Sequence, residues 1–273
     1  MNQEKTIYYT LDLESDYAGV APIETYEAYS KEKLLNEFAK IINDFDIKLT
    51  VFVTGKVLES QREQISFFQQ LGAEFELHGY DHVMYQPDFL PEIEKGLNAY
   101  QAFFGKDPLG YRSPGGVTDP HLYEILSNAG VKYDSSLIPS FRLGMYRNLK
   151  SPLHPHFPFN SGVLELPFSV IPKVRLLISA SYIRLFGFST YKLLFRIFGL
   201  PDPLVYLFHL VDIIPVTMRH HLTPFYQRAY AVRENKGMEY FEATVRHFHS
   251  LGYHSAYLSY LFNRFTDKTS IIS

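Results

Sequence analysis

Two histidines four positions apart, His78 and His82, stand in the stretch Glu76-Leu77-His78-Gly79-Tyr80-Asp81-His82 at the end of a predicted strand. On a helical turn that spacing puts both rings on one face, where two nitrogens can grip one metal ion. Upstream, Asp12 and Glu14 stand at i and i+2 at the end of another predicted strand. The two-residue period of a strand points both carboxylates the same way. Together the four residues offer two metal nitrogens, one metal oxygen and a spare base.

The elements that must position these groups alternate along the chain. A strand at 7–11 is followed by helical spacing of Leu34, Leu35, Phe38, Ile41, Ile42 and Phe45, then by a strand at 47–53. Ser60 with Glu63 reads as a capping box for the helix carrying Ile65, Phe68 and Leu71, and Gly72 is placed to close it. Residues 73–77 form the strand that ends at His78. Pro91 opens a further helix that Gly105 closes, and a short strand at 109–111 delivers Arg112. Thr118 and Pro120 start a helix ending at Gly130, before a strand at 131–133 and Asp134. Later strands are expected at 163–166, 204–208 and 253–257, the last after a long helix holding Met238, Phe241, Val245, Phe248 and Leu251. Seven or eight strands alternating with helices predict a parallel βα barrel of α/β class, irregular or incompletely closed, in one domain over 1–273. In such barrels chemistry lies at the carboxyl ends of strands, and Asp12, His78, Arg112, Asp134 and His209 each follow a predicted strand.

Composition removes several classes of function. The chain has 273 residues, 46% of them hydrophobic, with a formal net charge of -3 and no Lys/Arg run dense enough for duplex nucleic acid. It has no cysteine, which excludes disulfides and thiolate zinc sites, so a metal must be held by His, Asp and Glu. Residues 1–9 show no apolar core of a secretory signal, and the expected compartment is the cytoplasm.

With these residues in place the chain resembles the NodB-type polysaccharide deacetylases. Leu11-Asp12-Leu13-Glu14 looks like the family's first motif, His78 to His82 like its second, Arg112-Ser113-Pro114-Gly115-Gly116 like its third and Leu207-Phe208-His209 like its last, in order over roughly residues 6 to 262. The Asp-x-Glu spacing is similar to a cytoplasmic branch that includes peptidoglycan deacetylase-like and allantoinase-like proteins, and lipid-linked formamido-arabinose deformylases share it. The resemblance implies a divalent metal, Zn2+ first with Ni, Co or Mn as others, held by Glu14, His78 and His82. It implies Asp12 as the base that takes a water's proton, Arg112 as the group orienting that base, and His209 as the acid that protonates the leaving amine. Gly115 is a candidate oxyanion donor through its backbone N–H, and Tyr80 or Tyr85 could stack on a sugar ring. The family's fourth-motif tryptophan is missing, since the chain has no Trp, and Asp134 is assigned by position to orient His209. Glu14 stands where aspartate is commoner, with Asp16 and Asp81 as substitutes.

The implied activity is removal of an N-acetyl group from an amino sugar in a glycan, glycolipid or precursor. The alternatives are hydrolysis of a small linear or cyclic amide, a lipid-linked sugar deacylase, and a carbohydrate-binding protein with a degraded centre. His154, His156, His247 and His249 read as structural or surface residues, while His220 and His221 have some prospect of touching substrate. Residues 174–200 are apolar, with Arg175, Arg184, Lys192 and Arg196 as their only charges. Interruptions and cations disqualify this segment as a spanning helix. It is expected to pack on the barrel or on a second subunit in a homo-oligomer, with peripheral membrane contact as the other reading.

Overall fold

Nine residues, β1 (Lys5–Leu13), form the strand around which the others assemble. The computed structural model describes residues 5–14, 28–84, 88–143, 145–215 and 224–270. Asp16, Tyr85, His220 and His221 lie outside them. From β1 the chain runs through α1 (Glu32–Asp44), β2 (Leu49–Val53), α2 (Gly55–Ser60), α3 (Arg62–Gln70), β3 (Glu74–Leu77), α4 (Leu90–Phe104), β4 (Gly110–Tyr111), α5 (Pro120–Asn128) and β5 (Tyr133–Asp134). A hairpin of β6 (Phe141–Arg142) and β7 (Tyr146–Arg147) precedes β8 (Leu164–Glu165). A second hairpin, β9 (Val170–Ile171) and β10 (Leu176–Leu177), leads into α6 (Ala180–Phe186) and α7 (Phe188–Phe198). The remainder is β11 (Leu204–Phe208), α8 (Leu210–Ile213), α9 (Pro224–Ala231), α10 (Gly237–Ser250), β12 (Tyr253–Ser255) and α11 (Leu258–Ser270).

The strands lie in the order β11-β1-β2-β3-β4-β5-β8, with β12 added along the start of β1, and every neighbouring pair is parallel. Among the described residues no ladder joins β8 to β11. Ser169 crosses the gap instead, its N–H donating to Val205 O at 3.2 Å while Val205 N–H donates to Ser169 Oγ at 2.8 Å. Ser179 forms an isolated parallel bridge with Leu207. The result is an irregular βα barrel, as the alternation of elements predicts.

Two apolar cores follow from the two-residue period of these strands. Ile7, Tyr9, Leu11 and Leu13 of β1, with Leu49, Val51 and Val53 of β2, face the helices and pack in one cluster. There α1 contributes Leu35, Phe38, Ile41 and Ile42 at helical spacing, and α4 begins with Pro91 in its first turn and ends at the left-handed Gly105. The alternate residues Tyr8, Phe52, Tyr133, Leu164, Val205 and Leu207 fill the barrel interior. The Ser60–Glu63 capping box does not form. The strand β2 passes directly into α2, so Ser60 ends a helix, its hydroxyl bonds back to Lys56 O, and Gln61 precedes α3.

The interior face of β3 carries acids, Glu74 and Glu76. Thr50 Oγ1 and Ser259 Oγ both donate to Glu74 at 2.6 Å, and Gly110 N–H donates to Glu76 at 2.7 Å. A Cβ at position 110 would lie 2.2 Å from the Tyr133 ring, so glycine alone lets that ring cross. Burial, reinforced by neighbouring Glu74, raises the Glu76 carboxyl from 4.5 to about 8. An acid whose folded value lies above its unfolded one binds its proton more tightly in the fold, so its neutral form favours folding and stability declines as pH rises between the two values. Thermal melts of the wild type and Glu76→Gln should therefore diverge between about pH 4.5 and pH 8, with the variant losing less stability on alkalinisation. Parallel curves across that window would contradict the assignment.

Candidate active site

The residues capable of chemistry share a parity. On the inward face of the barrel, Thr10 and Asp12 continue the row of Tyr8 on β1, and Glu14 follows one step beyond it. His78 continues the row of Glu74 and Glu76, Arg112 follows Gly110, and His209 follows Val205 and Leu207. Strands of one register therefore bring five polar side chains from four strand ends to one mouth.

Arg112 is the deepest of them, 1% exposed. Its guanidinium carbon lies 3.9 Å from the centroid of the Phe52 ring and 4.4 Å from that of Phe168. Its Nη1 donates to Asp12 Oδ1 at 2.5 Å and to Thr10 Oγ1 at 3.2 Å, while Nε and Nη2 donate to Ser135 O at 2.8 Å and Ser135 Oγ at 3.1 Å. One oxygen of Asp12 is thereby tied down. The other, Oδ2, faces His78 Nε2 at 3.9 Å and His209 Nε2 at 3.7 Å.

Glu14 sits between the two histidines, with Oε2 at 2.7 Å from His82 Nε2 and 3.5 Å from His78 Nε2. Burial alone would raise its carboxyl, but the surrounding imidazoles, His82 and His209 first, hold it well below the ordinary value. His78 Nδ1 lies 2.8 Å from Arg112 O. A carbonyl only accepts, so Nδ1 carries the proton and Nε2 presents its lone pair to the cluster. Ligand atoms of Glu14, His78 and His82 all lie within 4.8 Å of one another, and all three residues are buried.

The pair is not on a helical turn. His78 to Met84 is a bent loop in which Gly79 (φ +74°) and His82 (φ +62°) take left-handed conformations, which brings the ring centroids to 4.9 Å. Glu92 in the first turn of α4 holds this loop. Its buried Oε1 accepts from Asp81 N at 2.7 Å, Tyr80 N at 2.9 Å and Val83 N at 3.4 Å. In the sequence Glu92 looks like an ordinary first-turn acid.

His209 is not oriented by Asp134. Between the inward Tyr133 and Ser135, Asp134 points to the helix side, against Glu165 and Tyr123, and accepts a bond from Ser136 Oγ at 2.6 Å. Burial raises both carboxyls of the Asp134–Glu165 pair. The partner of His209 is Asp212, three residues on, whose Oδ2 accepts the His209 N–H at 3.1 Å and lies 3.3 Å from Nδ1. The spacing His209-Leu210-Val211-Asp212 is that of a capping box, a signal legible without coordinates. Burial lowers the His209 imidazole, but Glu14, Asp212 and Asp12 outweigh it and lift the value to about 9.

These groups line a cavity of about 120 Å³ whose walls include Phe168, Leu207, Tyr146 and Tyr182. Gly115 (φ +69°) borders it, and a Cβ there would come within 3.0 Å of Met84 Sδ. Tyr80 does not line it. Its hydroxyl donates to Glu59 at 2.8 Å and its ring packs towards Gly55, on the outer side of the loop. Asp81 likewise turns outward to Lys56 at 3.0 Å and does not substitute for Glu14.

The profile of the polysaccharide deacetylase family matches residues 2–133. That span, a little under half of the chain, is similar to this family. It carries Asp12, Glu14, His78, His82 and Arg112, whereas His209 and Asp212 lie beyond it. A peptidoglycan deacetylase-like protein of Gibberella zeae is 31% identical over 94 residues, 33% of this chain and 28% of that protein, so the chain spans little more than a quarter of this relative. Structures assigned as polysaccharide deacetylases from Mycobacterium smegmatis (TM-score 0.60, 17% identity, 98% of this chain and 93% of that one) and Pseudomonas aeruginosa (0.61, 14%, 94% and 89%) share the fold. An allantoinase shares it equally (0.60, 14%, 94% and 89%).

Glu92 supplies a direct test of how the loop is built. Glu92→Ala strips three backbone N–H groups of their acceptor, and a zinc titration followed by calorimetry should show affinity reduced about 10- to 100-fold with the helical circular dichroism unchanged. Unaltered affinity would mean that the loop holds its shape without Glu92.

Proposed function

We propose that the protein is a metal-dependent hydrolase of carbon–nitrogen bonds that removes an N-acetyl group from an amino sugar in a glycan or glycan precursor. The observation that carries this reading is the convergence, inside one cavity, of a three-donor cluster, an oriented carboxylate and an imidazole held by its own acid. The similarity of residues 2–133 to the deacetylase family supports the same chemistry.

The donors suit a divalent cation. One carboxylate and two imidazoles, without thiolate, match Zn2+, with Ni2+, Co2+ and Mn2+ served by the same ligand types. The proton on His78 Nδ1 is fixed by Arg112 O, as ligating imidazoles require. When bound, such an ion supplies Lewis acidity towards the amide carbonyl and an attacking water.

The side chains account for the proton transfers. Asp12, with Oδ1 held by Arg112, keeps Oδ2 directed into the cluster as acceptor of the water's proton. His209 lies across from it and, with Asp212 behind, is charged at neutral pH, the form that gives a proton to a departing amine. The Gly115 backbone borders the cavity without a side chain, where a main-chain donor can approach the carbonyl oxygen. The apolar walls at Phe168 and Leu207 suit the methyl of an acetyl group.

Acetate release from N-acetylglucosamine oligomers, with allantoin as the competing substrate, tests the reading. Asp12→Asn should keep stoichiometric metal and lose roughly 10²- to 10⁴-fold in kcat, because a neutral amide takes no proton. His78→Ala and His82→Ala should each lose the metal with the fold intact, since the ligands lie at the barrel mouth. Metal retained by both histidine variants, or turnover of allantoin alone, would refute the proposal.

A further inference from the structure

Charge is distributed unevenly along this chain. Residues 135–201 contain eight Lys/Arg and one acid, Glu165, so they carry a formal +7, and the remaining 18 Lys/Arg and 28 Asp/Glu give -10. That single acid is fully buried, so the segment shows solvent no negative side chain. Exposed apolar side chains fall in the same stretch of sequence. Of the thirteen large hydrophobic side chains most exposed among the described residues, nine fall within these 67 positions.

Two hairpins concentrate both features at the mouth of the cavity. The first, β6–β7, lines the cavity with Arg142 and Tyr146 and turns Phe141 (47% exposed) and Leu143 (77%) outward, followed by Arg147, Leu149 and Lys150. The second, β9–β10, lines it with Leu177 and exposes Lys173 and Val174 at its turn. They are fastened side by side, since Arg175 Nη1 donates to Ser151 O at 2.9 Å and Ser140 Oγ donates to Arg175 O at 2.5 Å. The pattern continues on α7, whose buried side is Tyr191 and Phe195 and whose outer side alternates Lys192, Leu193, Arg196 and Ile197.

We infer that these hairpin tips dock the protein on an anionic lipid bilayer, with the cavity opening towards the headgroups, so that the substrate is an amino sugar carried on a lipid. This deepens the hydrolase reading and rests on it for the substrate, though not for the docking. A second copy of the chain is a poor occupant, because a two-fold contact sets a patch against itself and would press cations together with no exposed acid of 135–201 between them. A nucleic acid or acidic polymer would use the cations but leave Leu143 and Val174 in water, whereas a bilayer takes both. Among the described residues no helix is long and apolar enough to cross a membrane, so the contact is peripheral.

Sedimentation with phosphatidylcholine vesicles, with and without about one part in four phosphatidylglycerol, tests this. Binding should require the anionic lipid and fall with salt. It should weaken on the order of a hundredfold in Arg147→Ser/Lys150→Ser/Lys173→Ser and at least about tenfold in Phe141→Ser/Leu143→Ser/Val174→Ser. Circular dichroism should show both variants folded. His78→Ala should bind vesicles like the wild type, which separates docking from hydrolysis. The inference is overturned if anionic vesicles are not bound, if the apolar variant binds them as well as the wild type, or if sedimentation velocity shows a dimer that this variant dissociates.

Discussion

A guanidinium buried in the middle of the barrel is the constraint on which the rest of the site depends. Arg112 cannot stay there unpaired, because a buried charge without partners is prohibitively costly. Its donors are met by Asp12, Thr10 and Ser135, and its faces by the rings of Phe52 and Phe168. Those partners come from β1, from β2, from the end of β5 and from the segment that bridges the open side of the barrel. Its carbonyl also fixes the tautomer of His78. One residue thus couples the proposed proton acceptor, a candidate metal ligand and the closure of the fold.

Around that centre, the site is assembled by parity and by local acids. Strand alternation places Asp12, His78, Arg112 and His209 on the inner face, and directs Asp134 and Glu165 outward, where the Tyr123 hydroxyl donates to Glu165. Where the chain leaves the strands, a carboxylate takes over. Glu92 gathers the amides of the His78–His82 loop, and Asp212 anchors His209 from within the same turn. Arg184 of α6 lies 3.9 Å from Asp212 and donates to Val211 O at 3.1 Å, so one cation of the apolar segment is committed beneath the site. The segment is therefore divided by Gly187 (φ +91°) into two helices, with one side on the barrel and the other exposed.

The sequence by itself determined the order of elements, most strand positions and the polar residues that end them, because period-two and helical patterns are local and carbon-rich faces must be buried. It singled out Asp12, Glu14, His78, His82, Arg112 and His209 as candidates by type and spacing at strand ends, and the fold brings all six to one cavity. It misjudged Asp134 and Tyr80, whose side chains point the wrong way by one step of a strand and by one turn of a loop, distinctions finer than boundaries read from pattern. Only the tertiary structure decided that Glu92 holds the loop, because its three bonds join backbone amides to an acid nine to twelve residues away. Only it decided that the hairpins carrying Phe141, Leu143, Lys173 and Val174 adjoin beside the cavity, because hairpins distant in sequence become neighbours only once Arg175 is bonded to Ser140 and Ser151.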